Sequence, residues 1–146
     1  MEVGLRRCAS KYLASVILAT CTIISNLANA NQTAQGTVQL SITASSQSAS
    51  ITSATCEIDV KTTDAVTNVS FYQTVIVQAQ VASNSIKCTI NSPYQWSLTD
   101  LTAPIYIFYT ISGMNGSVLV NSTTGGFDPI PGSTTGNIPL SLSTVF

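Results

Sequence analysis

The 146-residue sequence contains no histidine, and only 8% of its residues are charged. Without an imidazole there is no Ser-His-Asp or Cys-His catalytic apparatus of the usual kind and no histidine metal ligand. The basic residues number five, and three of them (Arg6, Arg7 and Lys11) fall at the very start. Too few remain to form the clustered cationic surface that nucleic acid requires. The glycine-rich phosphate loops, the GxSxG turn and the HExxH motif are all missing. These gaps exclude most enzymes and nucleic-acid-binding modules, so the expectation is a protein with no enzymatic activity, no cofactor, no metal and no catalytic residue.

What is present begins with a tripartite N-terminus. Arg6, Arg7 and Lys11 precede an apolar run from Tyr12 to Ile24, and Leu27-Ala28-Asn29-Ala30 supplies small residues at the end. That order of positive, apolar and small residues is the pattern of a secretory signal peptide, here residues 1–30. The apolar run is too short for a spanning helix, which needs about 20 residues, so no stable membrane span is expected after cleavage. From Asn31 onward two lysines face five carboxylates, a net charge of −3, and Ser and Thr make up 35 of 116 residues. Such a chain has few of the long charged side chains that cover helix surfaces and many that favour strands and turns. It is expected to be all-β.

Two cysteines leave with the signal peptide, and Cys56 and Cys88 remain in a compartment where thiols oxidise. One disulfide is expected. Neither CxxC spacing nor a nearby histidine supports a redox or metal role for the pair.

Strand signals recur along the rest of the chain. In Gly36 to Ala44, Val38, Leu40 and Ile42 alternate with polar residues, the period-two signature of a half-buried strand. A Ser-rich stretch from Ser45 to Ser50 follows as a linker. Ile51 to Val60 predicts a second strand, and Val66 to Ala82 is too long for one ordinary strand, which predicts a bend or bulge. Ser85 to Asn91 and Tyr94 to Thr99 predict separate strands on either side of Pro93. Pro104 to Ser112 is nearly continuous in apolar and aromatic residues, as in a strand buried on both faces or at an interface. Met114-Asn115-Gly116 signals a hairpin, Thr123 to Gly136 is rich in turn residues, and Asn137 to Phe146 alternates again. In that last segment Ile138, Leu140, Leu142 and Phe146 share a face. Short strands spaced by turns predict a Greek-key, immunoglobulin-like β-sandwich.

Trp96 and the run Tyr106, Phe108, Tyr109 could form a carbohydrate platform, although a tryptophan in an alternating strand is usually core. Glu57 and Asp59 share a face in what reads as a solvated strand.

An amphipathic N-terminal strand, a flexible joint, a body with one disulfide and a C-terminal period-two strand ending in an aromatic together resemble a chaperone-usher pilin subunit. The similarity is greatest to archaic pilins and spore coat protein U-like domains. It implies a sandwich body over residues 51–146 that lacks one strand, preceded by a donor-type strand and linker over residues 31–50. The donor residues would be Gly36, Val38, Leu40 and Ile42. Gly132, Ile138, Leu140, Leu142 and Phe146 would form the C-terminal edge that binds a chaperone and later a donor strand. The resemblance further implies a periplasmic chaperone, an outer-membrane usher and neighbouring copies as partners. It implies passage through the periplasm to a pilus on the cell surface, serving adhesion or biofilm formation. The competing expectation is a monomeric extracellular binding module, for carbohydrate or a cell surface, whose first strand completes its own sandwich.

Overall fold

A computed structural model describes residues 31–45, 51–83 and 85–146. The signal-peptide segment and most of the Ser-rich joint lie outside the described residues. Nine strands and no helix are found among them: β1 (Gln32–Ser45), β2 (Ser53–Thr63), β3 (Ser70–Gln78), β4 (Gln80–Ala82), β5 (Ser85–Leu98), β6 (Pro104–Asn115), β7 (Val118–Gly126), β8 (Ile130–Pro131) and β9 (Gly136–Val145). They form two sheets, with strand orders β4-β5-β1-β9 and β3-β2-β6-β7, and β8 adds to β6. The expected all-β sandwich with one disulfide is therefore the architecture of the chain.

Period-two alternation builds the core. Every second residue of β5 from Ile86 to Leu98 is buried, as are Ala54, Cys56, Ile58 and Val60 on β2 and Ile105, Ile107 and Ile111 on β6. The two inner faces meet around these side chains. Cys56 of β2 and Cys88 of β5 cross between the sheets as a disulfide with Cα atoms 6.4 Å apart.

The long segment Val66 to Ala82 does break, and the break changes sheets. β3 pairs with β2 and β4 pairs with β5, with Ala79 between them donating its N–H to the carbonyl of Ala54. Two other sequence expectations are corrected. Pro93 does not divide two strands, because β5 runs unbroken from Ser85 to Leu98. β4 covers β5 only as far as Lys87, so at Pro93 the strand has a neighbour on one side alone and a missing N–H is tolerated. Of the two alternatives for β6, burial on both faces is the one corrected: the strand is central in its sheet but buried on one face only. Tyr106 and Phe108 point outward, beside Lys61, whose ammonium lies 4.4 Å from the Phe108 ring centroid. The turn-rich segment from Thr123 is also more ordered into strands than expected, since β7 extends to Gly126 and β8 follows.

One carboxylate ties two loops together. Asp64, at the end of β2, is buried and accepts hydrogen bonds from the N–H groups of Val66 and Thr67 and from both the N–H and the hydroxyl of Thr99. The β2–β3 loop, with Asn68 in the left-handed region, is thereby fastened to the end of β5. The Thr67 backbone bond, then the Thr99 side-chain and backbone bonds, hold the Asp64 carboxyl well below the usual carboxylate range. Asp100 is lowered too, first by the Thr102 hydroxyl and then by its N–H.

Two predictions follow from this framework. The disulfide closes a loop of about 33 residues, so the double substitution Cys56→Ala, Cys88→Ala should lower unfolding free energy by about 3 to 4 kcal/mol in denaturant titrations. A depressed folded-state pKa gives stability that is complete above the unfolded value, about 3.9 for Asp, and is lost as pH falls through the folded value. Thermal melts should thus change little from neutral pH to about 5 and decline below about pH 4. Asp64→Asn should lower the midpoint at neutral pH and flatten that acid limb.

Candidate functional site

The candidate site is the slot occupied by β1. β1 pairs antiparallel with β5 from Gln32↔Leu98 to Ser45↔Ser85, and parallel with β9 from Gly36↔Gly136 to Ser45↔Val145. Among the described residues, β5 and β9 are joined within their sheet only through β1. The registers align inward-facing residues in rows across the three strands. Ser92, Val38 and Ile138 form one row, Ile90, Leu40 and Leu140 the next, and Cys88, Ile42 and Leu142 the third. Val38 and Leu40 are fully buried and Ile42 is 1% exposed.

The structure thus brings together the two sets of residues singled out in the sequence. Val38, Leu40 and Ile42 lie in the chain's own core, directly beside Ile138, Leu140 and Leu142. The N-terminal strand is an inner strand of the four-stranded sheet. Burying three such side chains is worth roughly 1.5 to 3 kcal/mol each, which accounts for β1 being held in the slot.

Phe146 closes one end of the slot. Its N–H donates to the carbonyl of Ser45, and its ring lies so close to Gly113 of β6 that a Cβ there would sit 2.7 Å from it. At the other end Gly36 lies beneath Tyr94. A Cβ on Gly36 would approach the Tyr94 hydroxyl to 2.7 Å and the Gly136 carbonyl to 3.1 Å, so a side chain here would have to displace the Tyr94 ring. The Tyr94 hydroxyl donates to the carbonyl of Thr134 at 3.2 Å. Gly132 is not on the β9 edge. It is buried in the turn after β8, donates its N–H to Ala103, and has no room for a Cβ against the Ala103 and Leu101 carbonyls. Its role in the structure is to dock the β8 turn on the β5–β6 loop.

The aromatic candidates divide between core and surface. Trp96 is inward, stacked on Tyr94 with centroids 4.8 Å apart and 6.2 Å from Phe71 of the opposite sheet. Tyr109 is also inward, against Phe127. Tyr106 and Phe108 are outward. Glu57 and Asp59 lie on that same outer face, and Asp59 accepts a hydrogen bond from Thr74.

Sequence reasoning missed Ser92 and Tyr94. The Ser92 hydroxyl is buried beside Val38 with no hydrogen-bond partner, an uncompensated polar group in the slot wall. Its signal was a serine at an inward position of an otherwise apolar alternation, visible only once β5 is known to continue through Pro93. Two substitutions separate these contributions. Leu40→Ala should cost about 2 to 5 kcal/mol in unfolding free energy. Ser92→Ala, which removes an unsatisfied hydroxyl, should leave stability unchanged or raise it by about 1 kcal/mol.

No protein-family model, curated protein or solved structure matches this chain.

Proposed function

We propose that the protein is a structural subunit of an extracellular fimbria, exported through the periplasm and polymerised by exchange of its N-terminal strand. The observation that carries this reading is the seat of β1. It is the first strand of the described chain, it lies between β5 and β9, and it is the only strand joining them. Withdrawing β1 would open a groove lined by Ile90, Ser92, Ile138, Leu140 and Leu142 and leave two unpaired strand edges. Such a surface is an aggregation hazard for an isolated chain and an acceptor for an identical strand from another.

The same rows of contacts are available to a β1 from the same chain or from a neighbour. Within one chain the joint between Ser45 and Ile51 favours self-insertion through high effective concentration. Between chains each subunit would donate to one neighbour and accept from another, a heterologous contact that propagates as a filament. Guarding the open groove until a neighbour's strand arrives is the role a periplasmic chaperone would fill, with an outer-membrane usher at the point of assembly. Adhesion or biofilm formation would be the use of the resulting surface polymer.

A second reading is favoured by a specific observation, the completeness of the sandwich with its own β1 in place. On that reading the protein is a monomeric extracellular binding module.

Denaturing electrophoresis of the exported protein, with and without boiling, distinguishes the two. Strand-exchanged polymers should give a ladder in the unboiled lane that collapses to one band on boiling. A single monomer band in both lanes, from protein that is soluble and folded, would overturn the fimbrial reading in favour of the second.

A further inference from the structure

The Ser92 hydroxyl is fully buried in the wall of the slot and has no hydrogen-bond partner. The register fixes what surrounds it on that face: Val38 lies directly opposite on β1, Gly36 and Leu40 diagonally, and Ile90 and Tyr94 flank it on β5 itself. Only Tyr94 of these carries a polar side-chain atom, and its hydroxyl donates elsewhere, to the carbonyl of Thr134. In other ladders of this fold, a hydroxyl that faces a polar residue does pair with it. Thr63 faces Ser70 with the two oxygens 3.1 Å apart, Ser112 faces Ser122 at 3.4 Å, and Thr74 donates to Asp59 directly opposite. Ser92 faces a valine instead and stays unpaired.

A buried hydroxyl without a partner bears its full desolvation cost, and a second hydroxyl facing it could both donate and accept. Threonine has the shape of valine with one methyl exchanged for a hydroxyl, and directly opposed side chains of an antiparallel pair lie close enough for a Ser–Thr bond. The chain's own β1 offers nothing of the kind. Its inward positions are Ala34, Gly36, Val38, Leu40, Ile42 and Ala44, so sliding β1 by two residues either way sets glycine or leucine against Ser92. Sliding it by one residue turns the whole apolar face outward. A second copy of the chain brings the same strand and repeats the mismatch.

We propose that the slot is shaped for a strand from a different chain, one with threonine or serine where β1 has Val38, and that Ser92 selects it. The inference rests on the strand-exchange reading above and names the partner. That partner is a non-identical subunit whose period-two strand is apolar in the rows of Leu40 and Ile42 and bears a hydroxyl in the row of Ser92 and Ile138. The chain's own β1 is the less well matched occupant of its slot.

A double-mutant cycle on the intact, disulfide-bonded chain tests the pairing. Val38→Thr should leave the folded-to-unfolded ratio in denaturant titrations unchanged or higher when Ser92 is present, and lower it about tenfold in the Ser92→Ala chain. Labelled peptides of residues 31–45, one wild-type and one with Val38→Thr, are then added to the full chain. The Val38→Thr peptide should reach the same occupancy at about a threefold lower concentration, and this preference should vanish on the Ser92→Ala chain. Equal effects of Val38→Thr in both backgrounds overturn the proposal. So does a Val38→Thr peptide with no advantage, an advantage that persists without Ser92, or a slot that neither peptide enters. Wild-type chains that form boil-sensitive ladders but show no such coupling refute this inference alone. A chain that forms no ladder yet takes up the Val38→Thr peptide preferentially refutes the fimbrial reading alone.

Discussion

Everything in the first sheet depends on one constraint: β5 and β9 are held in register by a strand that belongs to neither's sequence neighbourhood. β1 satisfies the backbone groups of both, antiparallel on one side and parallel on the other. Its inward residues are the middle member of every row, so the packing of Ile90 or Leu140 is incomplete without it. The β1 pairings are all long-range in sequence, with β5 beginning at Ser85 and β9 at Gly136.

The second sheet is built differently, and the contrast explains where the molecule is firm. β2 and β6 pair along most of their lengths, β6 continues into β7 through a hairpin, and the disulfide fixes β2 against β5. Asp64 then fastens the β2–β3 loop to the end of β5 at the same end of β2 as Lys61. β5 is therefore held to the second sheet covalently and by this carboxylate, independently of β1. The slot has one rigid wall in β5 and one wall, β9, that is itself an edge strand.

Much of this was legible in the sequence because period two is a strong signal. Val38, Leu40 and Ile42, and likewise Ile138, Leu140, Leu142 and Phe146, declare an inward face, and the even cysteine count declares the disulfide. Alternation identifies a face and not a neighbour, so the meeting of those two strands in one chain could not be read from it. Pro93 looked like a break because proline removes a backbone donor, but that donor is dispensable where β4 no longer covers β5. Whether Tyr106 and Phe108 are buried or exposed could not be read, because local hydrophobicity says nothing of which sheet face is covered. The seat of Gly36 was invisible for a related reason. Gly36, Tyr94 and Gly136 are far apart in the chain and come together only through the registers of β1 with β5 and β9.

The row of Tyr94, Gly36 and Gly136 has a thermodynamic corollary. The Tyr94 hydroxyl reaches past Gly36 to the carbonyl of Thr134, just ahead of β9, and a Cβ at position 36 would meet that hydroxyl. The glycine of β1 and the tyrosine of β5 are therefore energetically coupled. A side chain acquired at position 36 would be tolerated only together with a smaller residue at 94, so the two positions are constrained to change as a pair.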